Sequence, residues 1–565
     1  MLHLIPRVKC LDVLPGTLDK RAISCDGLVC DGRVRAALDR LPQAPDGVSV
    51  TVTVTGDGGE GYELWVEERA VRIEAPGPAG AFYAVQTLRQ IFTSAEIPCL
   101  HIKDEPDFAY RGFYQDETRG RVHTLATLKE LIDRLAYFKY NSLQLYVEHT
   151  FSCEEYADVI GTLGYLTDEE LQELDAYCKQ NFIDFIPSLA TFGHLYDLLH
   201  QPKYRHLCML RDEEDGYNYY RGRHTHHTID PLVPESIRVI RHLIDQYAPH
   251  FTSEWFNICC DETFDLNRHE DKGYDTGRLY LDFVKKIIAH VSGRGKKAMM
   301  WADVLLQHPE VLQELPEDTC FLNWYYDAPV KEERIAKLAH TRQILCPGTS
   351  TWWRFCENVD VSRQNIAQMA EYGKKYGAIG LLNTNWGDFG NPATIDLAMF
   401  GVAAGAEKAW SAAAPLDEAF DGKVNHLVYE NENGVASLTE LSRLQSMVRW
   451  QHFCDNALAF LHGDPLWHAR CVDDREAVQQ GYAAFAAKLS AETWKRDNYR
   501  LDMLVAAQAV CLTAELSDRI QGIEVERVTD TEAFLREFRA RWLLTTKESE
   551  LFRIESLLRG VEEKL

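Results

Sequence analysis

Two adjacent carboxylates, Asp261 and Glu262, close the apolar run Phe256-Asn257-Ile258-Cys259-Cys260. A carboxylic acid can protonate the leaving oxygen of a glycoside, and a second carboxylate can stabilise or orient what remains. Adjacent strand residues point to opposite sides. That predicts a poor opposed pair, about 5 Å apart, for a retaining glycosidase with a protein nucleophile. One acid, Glu262, with one orienting partner, Asp261, suits the spacing better; Asp261 would hold a substrate amide that itself attacks the sugar carbon. Close carboxylates would also raise the acid's pKa toward neutrality. An Asp-Glu pair serves equally as a helix N-cap with a salt bridge, and spacing alone leaves that open.

Other reactive or stacking side chains follow the ends of short apolar runs. They are Asp116, Glu117, Arg119 and Arg121; Glu148 and His149; His194; Trp301 and Asp303; Trp324, Tyr325, Tyr326 and Asp327; Trp352 and Trp353; and Trp386 and Asp388. Carboxylates with recurring Trp suit sugars, because a pyranose offers an apolar C–H face to an indole while its hydroxyls want carboxylates and Arg. Any single Trp is as easily core filler.

The elements that must position these residues are legible as a repeat. Short apolar runs at 113–116, 142–147, 182–187, 255–260, 298–301, 320–324, 344–347 and 379–385 alternate with amphipathic helices. Capping boxes are read at Thr167/Glu170, with another at Thr127/Glu130. Eight such units predict an α/β protein built on a (β/α)8 TIM barrel over 109–415, with catalytic groups at the C-terminal strand ends. A doubly wound sheet would need a Gly-rich phosphate loop after its first strand, and none is present. Residues 1–108 read as a small α/β domain, with strands at 48–54, 62–66 and 70–75 and a helix through Phe82, Val85, Leu88 and Ile91. Residues 416–565 read as a helical domain, with a capping box at Ser437/Glu440. That domain offers a surface to the barrel or to a homodimer partner.

Composition narrows the classes. The chain has 565 residues, a size for about three domains, and 86 acidic against 60 basic residues give a net charge of −26. That charge excludes non-specific binding to nucleic acid and to anionic membranes. No apolar stretch approaches the ~18 residues that span a bilayer. The start Met1-Leu2-His3-Leu4-Ile5-Pro6-Arg7 is too short and interrupted for a signal peptide. Fifteen cysteines without framework spacing read as reduced thiols, hence a cytoplasmic protein.

Five motifs, taken in order, resemble glycoside hydrolase family 20, the β-N-acetylhexosaminidases, over roughly residues 60 to 412. Gly61-Tyr62-Glu63-Leu64 and Gly80–Leu88 look like the small domain before the family's barrel. Tyr110-Arg111-Gly112-Phe113 with Asp116 looks like its first strand, and Phe192-Gly193-His194 is similar to its Pro-Gly-His turn. Cys260-Asp261-Glu262-Thr263 matches its Asp-Glu pair, and Asn385-Trp386-Gly387-Asp388 its Trp-Gly-acid element. The resemblance implies an exo-acting retaining hydrolase of terminal β-linked GlcNAc or GalNAc, in which the substrate's own acetamido oxygen attacks the anomeric carbon to give an oxazolinium intermediate. By carry-over, Glu262 is the acid/base and Asp261 orients the acetamido N–H. Arg111 and Asp388 bind outer hydroxyls. Trp301, Trp324 and Trp386 wall the pocket, and Trp352 faces it. His194 and Glu148 are proton-network partners. The resemblance implies no cofactor and no metal.

The chain also departs from the pattern. Asn257-Ile258-Cys259-Cys260 stands where the family has His-x-Gly-Gly. No Tyr follows strand 7 among residues 349–353, so Tyr325 or Tyr326 is the expected contact to the acetamido carbonyl. Glu148 stands where Asp is common. Two further readings stay open: a catalytically silent sugar-binding protein on the same scaffold, and a retaining glycosidase with a protein nucleophile. His224, His226 and His227 lack a carboxylate at ligand spacing, so they read as a loop on the aglycone side. Arg119 and Arg121 read as exposed ion pairs, or as contacts to an anionic sugar substituent.

Overall fold

The computed structural model describes residues 2–565, apart from the side chains of 161, 162, 269–272, 310 and 311. A closed barrel of eight parallel strands lies at the centre. In chain order its strands 1 to 8 are Tyr110–Asp116, Ser142–Val147, Asp184–Leu189, Trp255–Asn257, Lys297–Trp301, Cys320–Trp324, Gln343–Cys346 and Gly380–Asn385. Strand 8 closes on strand 1 over six paired residues, from Gly380 opposite Tyr110 to Asn385 opposite Gln115. Loop n below is the segment after strand n.

The sequence placed most strand ends within two or three residues. The exception with consequences is strand 4, which stops at Asn257 rather than Cys260. Cys259, Cys260 and Glu262 are left-handed, with φ of 56°, 64° and 48°, and cannot continue a strand. The helix after strand 1 spans Leu125–Tyr137 and is capped by Thr124, whose side chain accepts from the Thr127 N–H, not by Thr127 itself. The capping box at Thr167/Glu170 forms as read, both bonds being made. The one at Ser437 does not: that residue is buried inside a helix, Gly434–Ser446, that starts after Asn433.

The N-terminal sheet has six strands, ordered Cys10–Thr17, Pro98–Asp104, Tyr62–Val66, Ala70–Ala75, Val48–Val54, Ile23–Ser24. The helix Pro78–Ile91 covers it. Its first strand was not legible because it is exposed along its whole length and carries no alternation. Seven α-helices and one π-helical turn, Asn425–Tyr429, lie between Glu418 and Lys564 and form the C-terminal region. One apolar core runs from the N-terminal sheet through the barrel's helices into this region, from Leu4 to Val561. A separate cluster fills the barrel: Tyr114, Tyr146, Ile186, Met299, Trp301, Leu322, Ile344, Leu382 and Trp386. No helix among the described residues is long and apolar enough to cross a membrane.

Candidate active site

The strand ends deliver a carboxylate–imidazole–guanidinium cluster to the top of the barrel. Phe192-Gly193-His194 turns sharply after strand 3, with His194 left-handed at φ 59°. Gly193 is required here, since a Cβ would lie 2.5 Å from the Asp261 carbonyl oxygen. The turn is held by the His194 N–H, which donates to His227 Nδ1 at 2.7 Å. Burial and the neighbouring His194 keep the His227 ring well below its usual pKa, which leaves Nδ1 free to accept.

His194 is buried, and its Nε2 lies 3.4 Å from both Asp261 Oδ2 and Glu262 Oε2. The two adjacent carboxylates therefore point to one side, contrary to the strand-alternation argument. The reason is the left-handed backbone at 259, 260 and 262, which breaks the alternation. The ligand atoms of all three side chains fall within 4.8 Å of one another.

The charge state is also the reverse of the sequence expectation. Burial opposes the charged imidazolium, but the Asp261 charge and the contacts with Asp261 and Glu262 push His194 up to about 10. Burial likewise opposes ionisation of Glu262, yet contact with His194, helped by its charge and that of Arg119, holds the carboxyl down to about 2. The raised carboxylate is Asp303, on the strand 5 loop, pushed to about 7 by burial and then by the Asp261 charge. Its Oδ2 accepts the Glu262 N–H at 2.9 Å, fixing the left-handed turn.

Arg119 holds the other wall. It is buried, with Nη1 3.2 Å from Asp388 Oδ1, Nε 3.5 Å from Glu148 Oε1 and Nη2 3.4 Å from His194 Nδ1. Its guanidinium lies over the Tyr146 and Trp386 rings at 4.7 and 5.1 Å. Asp116 positions the loop: Oδ1 accepts the Thr118 and Arg119 N–H groups, and Oδ2 accepts the Gly387 N–H of loop 8 at 3.0 Å. The exposed-ion-pair reading of Arg119 and Arg121 is thus corrected, both being buried.

Arg111 is corrected too. It sits near the start of strand 1, five residues or roughly 16 Å from the strand's catalytic end. There it forms a two-armed pair with Glu60 at 2.6 and 2.9 Å and donates through Nε to the Lys139 carbonyl. It joins the N-terminal domain to the barrel floor, away from the C-terminal strand ends.

The aromatic expectations divide. Trp301 and Trp386 are buried in the barrel cluster, and Trp324, Tyr326 and Trp352 pack against it. Trp386 Nε1 donates to the Tyr326 hydroxyl at 2.7 Å, and Tyr326 stacks on Trp324 at 5.1 Å. Tyr325 points the other way, into the cluster of Phe108, Val330, Ile335 and Met369 between barrel and helices. Of the two tyrosines, only Tyr326 reaches the site, because neighbours in sequence alternate sides. Tyr114 and Tyr146 were not singled out, although each lies two residues before a site carboxylate, Asp116 and Glu148, and so shares its face. Tyr146 donates to Glu148 Oε1 at 2.8 Å.

His224 also reaches the site, with Nε2 4.0 Å from Asp388 Oδ1. Burial keeps it neutral, lowered to about 4 despite Asp388. His226 instead lies 3.3 Å from Asp215. Glu148, His149 and Asp197 form a second group of ligand-type atoms within 4.8 Å. Arg119 and Arg223 already stand beside the two groups as cations, so both read as proton and ion-pair networks. The Cys259 and Cys260 thiols are buried and pushed up by that burial, which leaves them without nucleophilic character.

Comparison with known proteins gives the family. Residues 108–413 match glycosyl hydrolase family 20, catalytic domain, and residues 33–105 match the family's domain 2. The chain belongs to glycosyl hydrolase family 20. It is 39% identical over 266 residues to a beta-N-acetylhexosaminidase of Cellulomonas fimi, covering 44% of this chain and 51% of that protein. It is 25% identical over 339 residues to a beta-hexosaminidase of Vibrio furnissii, covering 52% of each. A Porphyromonas gingivalis beta-hexosaminidase is 27% identical over 293 residues, 44% of this chain and 36% of that one. The chain thus spans about half or less of these relatives. In fold it is similar to a Vibrio harveyi exo beta-N-acetylglucosaminidase, with a TM-score of 0.60 at 20% identity over 75% of this chain and 76% of the other. A Flavobacterium johnsoniae chitobiase aligns over 99% of both chains, with a TM-score of 0.63 at 17% identity.

Proposed function

We propose that this family 20 protein is an exo-acting, retaining β-N-acetylhexosaminidase that releases terminal β-linked GlcNAc or GalNAc through the substrate's own acetamido group. The observation that carries this reading is the convergence of Asp261 and Glu262 on His194 beside the Trp301–Trp386 box. Asp261, on the same side as the acid, is placed to accept the acetamido N–H and turn its carbonyl oxygen toward the anomeric carbon. Tyr326 is the hydroxyl available to that acetamido group. Arg119, Asp388 and Glu148 are placed for the outer hydroxyls, which suits attack at a chain end.

The proton is parked on His194 in the free site, so the acid must be made. Transfer from Nε2 to Glu262 Oε2 converts an imidazolium–carboxylate pair into a neutral pair. Glu262 then gives that proton to the glycosidic oxygen as the C1–O bond breaks and the acetamido oxygen bonds to C1. In the second half, the Glu262 carboxylate takes a proton from water, whose oxygen attacks C1 and opens the oxazolinium ring. Each step pairs one bond made with one broken.

One carboxylate oxygen of Asp261 lies within 4.8 Å of one of Glu262, close enough to make Asp261 as nucleophile the second reading. Aryl glycosides with a progressively fluorinated N-acetyl group separate the two. Rates falling steeply with each fluorine support acetamido attack, whereas a flat series with a trapped glycosyl-Asp261 sinks it. Binding of N-acetylhexosamines without turnover would instead favour the silent sugar-binding protein. We place the enzyme in a reducing compartment, the cytoplasm, because its fifteen cysteines are free thiols. Its partners there would be small oligosaccharides.

A further inference from the structure

The residues of the outer-hydroxyl wall share a property: their loops are tied to the C-terminal helices. In loop 1, next to Arg119, the Gly120 carbonyl accepts from Ser549 Oγ at 2.8 Å and from the Glu550 N–H at 3.1 Å. The Val122 carbonyl accepts from the Lys547 N–H at 2.8 Å, the Thr124 N–H donates to the Thr545 carbonyl at 3.0 Å, and Arg121 lies 3.8 Å over the Trp542 ring. In loop 3, ahead of His224, the buried Asp455 carboxylate accepts from Asn218 at 2.8 Å and from Arg221 at 3.1 and 2.6 Å. Glu550 accepts from Tyr219 and from Arg223, both at 2.8 Å. In loop 7, after Trp352, the Phe355 N–H donates to Gln445 Oε1 at 2.8 Å, and Arg354 donates to the Ser442 carbonyl at 2.6 Å. In loop 8, beside Asp388, the Phe389 carbonyl accepts from Trp450 Nε1 at 2.9 Å.

We propose that the C-terminal helical domain is a working part of the sugar site, and that Trp450, Asp455, Ser549 and Glu550 are positioning residues that set Arg119, His224 and Asp388. The barrel strands fix where a loop begins but not where its tip lies. Arg119 stands three residues beyond its strand, His224 more than thirty, and Asp388 three, so their placement needs a second anchor. The helices supply it with buried, charge-assisted and backbone bonds, the kind that hold a single geometry. A misplacement of about 1 Å in such a set can cost on the order of 100-fold in rate. The sugar's outer hydroxyls are read by this wall, so the domain bears on how tightly, and which, hexosamine epimer is held. The inference rests on the hexosaminidase reading above.

The test uses the full-length protein and the variants Ser549→Ala, Trp450→Phe and Asp455→Asn. The first two are mild enough to fold if the third does not. Amide hydrogen exchange of residues 117–124, 218–227 and 386–391 is measured beside KM and kcat on 4-nitrophenyl β-GlcNAc and β-GalNAc, with thermal melting as a fold check. The expected result is faster exchange in those loops, KM raised roughly tenfold, as for one lost bond's worth of ordering, a shifted GlcNAc/GalNAc ratio, and an unchanged pH profile. Folded variants with wild-type loop protection, or with loosened loops but wild-type KM and epimer ratio, overturn it. If the wild type turns over neither glycoside, the hexosaminidase reading has failed, and the exchange measurement alone still decides whether the helices order the loops.

Discussion

The contrast between Arg119 and Arg111 gives the most decisive test of the site. Both are buried, both pair with carboxylates, and the motif resemblance assigned the hydroxyl-binding role to Arg111. In Arg119→Lys the positive charge stays among Asp388, Glu148 and Asp116, at 3.2, 3.5 and 3.7 Å in the parent. Gross unfolding from stranded carboxylates is therefore avoided. What is lost is the planar fork and its stacking on Tyr146 and Trp386. One charge-assisted hydrogen bond to a sugar hydroxyl is worth about 1.5–3 kcal/mol, which converts to roughly 10- to 150-fold in kcat/KM. Arg111→Lys loses one arm of the Glu60 pair, 2.6 and 2.9 Å in the parent, at the barrel floor. Its effect should be a lower melting temperature from about 1.5–3 kcal/mol of lost interdomain bonding, with kcat/KM on 4-nitrophenyl N-acetyl-β-glucosaminide within a factor of two or so. The assay is that rate beside a thermal melt for each variant. A folded Arg111→Lys protein that loses activity, with Arg119→Lys unaffected, would refute the assignment of the sugar wall.

Four further outcomes follow. Glu262→Gln should lower kcat by roughly 10²- to 10⁴-fold, the usual contribution of a general acid/base, in a protein that still melts cooperatively, though at a lower temperature for want of its pair with His194; full activity would remove Glu262 from the mechanism. Gly193→Ala should fold but lose at least roughly 10²-fold in kcat, because its Cβ would displace the Asp261 carbonyl 2.5 Å away; near-normal kinetics would show the turn to be slack. Cys260→Gly should stay within about 1 kcal/mol of the parent in urea unfolding, relief at φ 64° offsetting the lost sulfur packing, whereas Cys260→Val, β-branched at a positive φ, should cost more. For His194 the folded pKa, about 10, exceeds the unfolded 6.5. The stability it contributes is whole below about 6.5 and fades as pH rises toward 10, so the melting temperature should fall over that window in the wild type and less in His194→Phe; identical slopes would show that the ring is not charged.

The sequence disclosed the barrel and the catalytic face because both rest on local rules. Apolar runs between amphipathic helices mark strands, and strand ends mark the site, so Asp261, Glu262, Trp301, Trp386 and Asp388 could be placed from spacing. Arg111 was carried over from a motif resemblance, and its place at the start of strand 1 puts it at the wrong end of the barrel. Tyr325 was offered beside Tyr326 without asking which side each occupies, and Tyr146 was overlooked by the same omission. Arg119 was visible as a residue after strand 1, but its burial depends on Asp388 and Glu148 arriving from strands 8 and 2, which no local pattern reports. The charge on His194 depends in the same way on two carboxylates meeting one nitrogen, a product of backbone torsions that composition does not encode.

Those torsions tie the strain of the site to its chemistry. An extended chain would send Asp261 and Glu262 apart. Left-handed turns at Cys259, Cys260 and Glu262, and at His194 opposite, bring them to one imidazole. Such a torsion costs a non-glycine residue roughly 1–2 kcal/mol, and it persists only where the surroundings insist on it. Here most of the strained backbones have an amide that is spoken for. The Glu262 N–H goes to Asp303, the His194 N–H to His227 Nδ1 and the Cys259 N–H to Asn257 Oδ1 at 2.9 Å. On the far wall the Trp353 N–H, at φ 62°, goes to the Asp388 carbonyl. Two of these partners, Asp303 and the Asp388 carbonyl, come from neighbouring loops, and two, Asn257 and His227, from the same stretch of chain, so the reactive geometry is fixed before a sugar arrives. A site built this way has little left to rearrange on binding, and the substrate's binding energy is then free to be used on the reacting bonds, which under the mechanism proposed above means the acetamido attack.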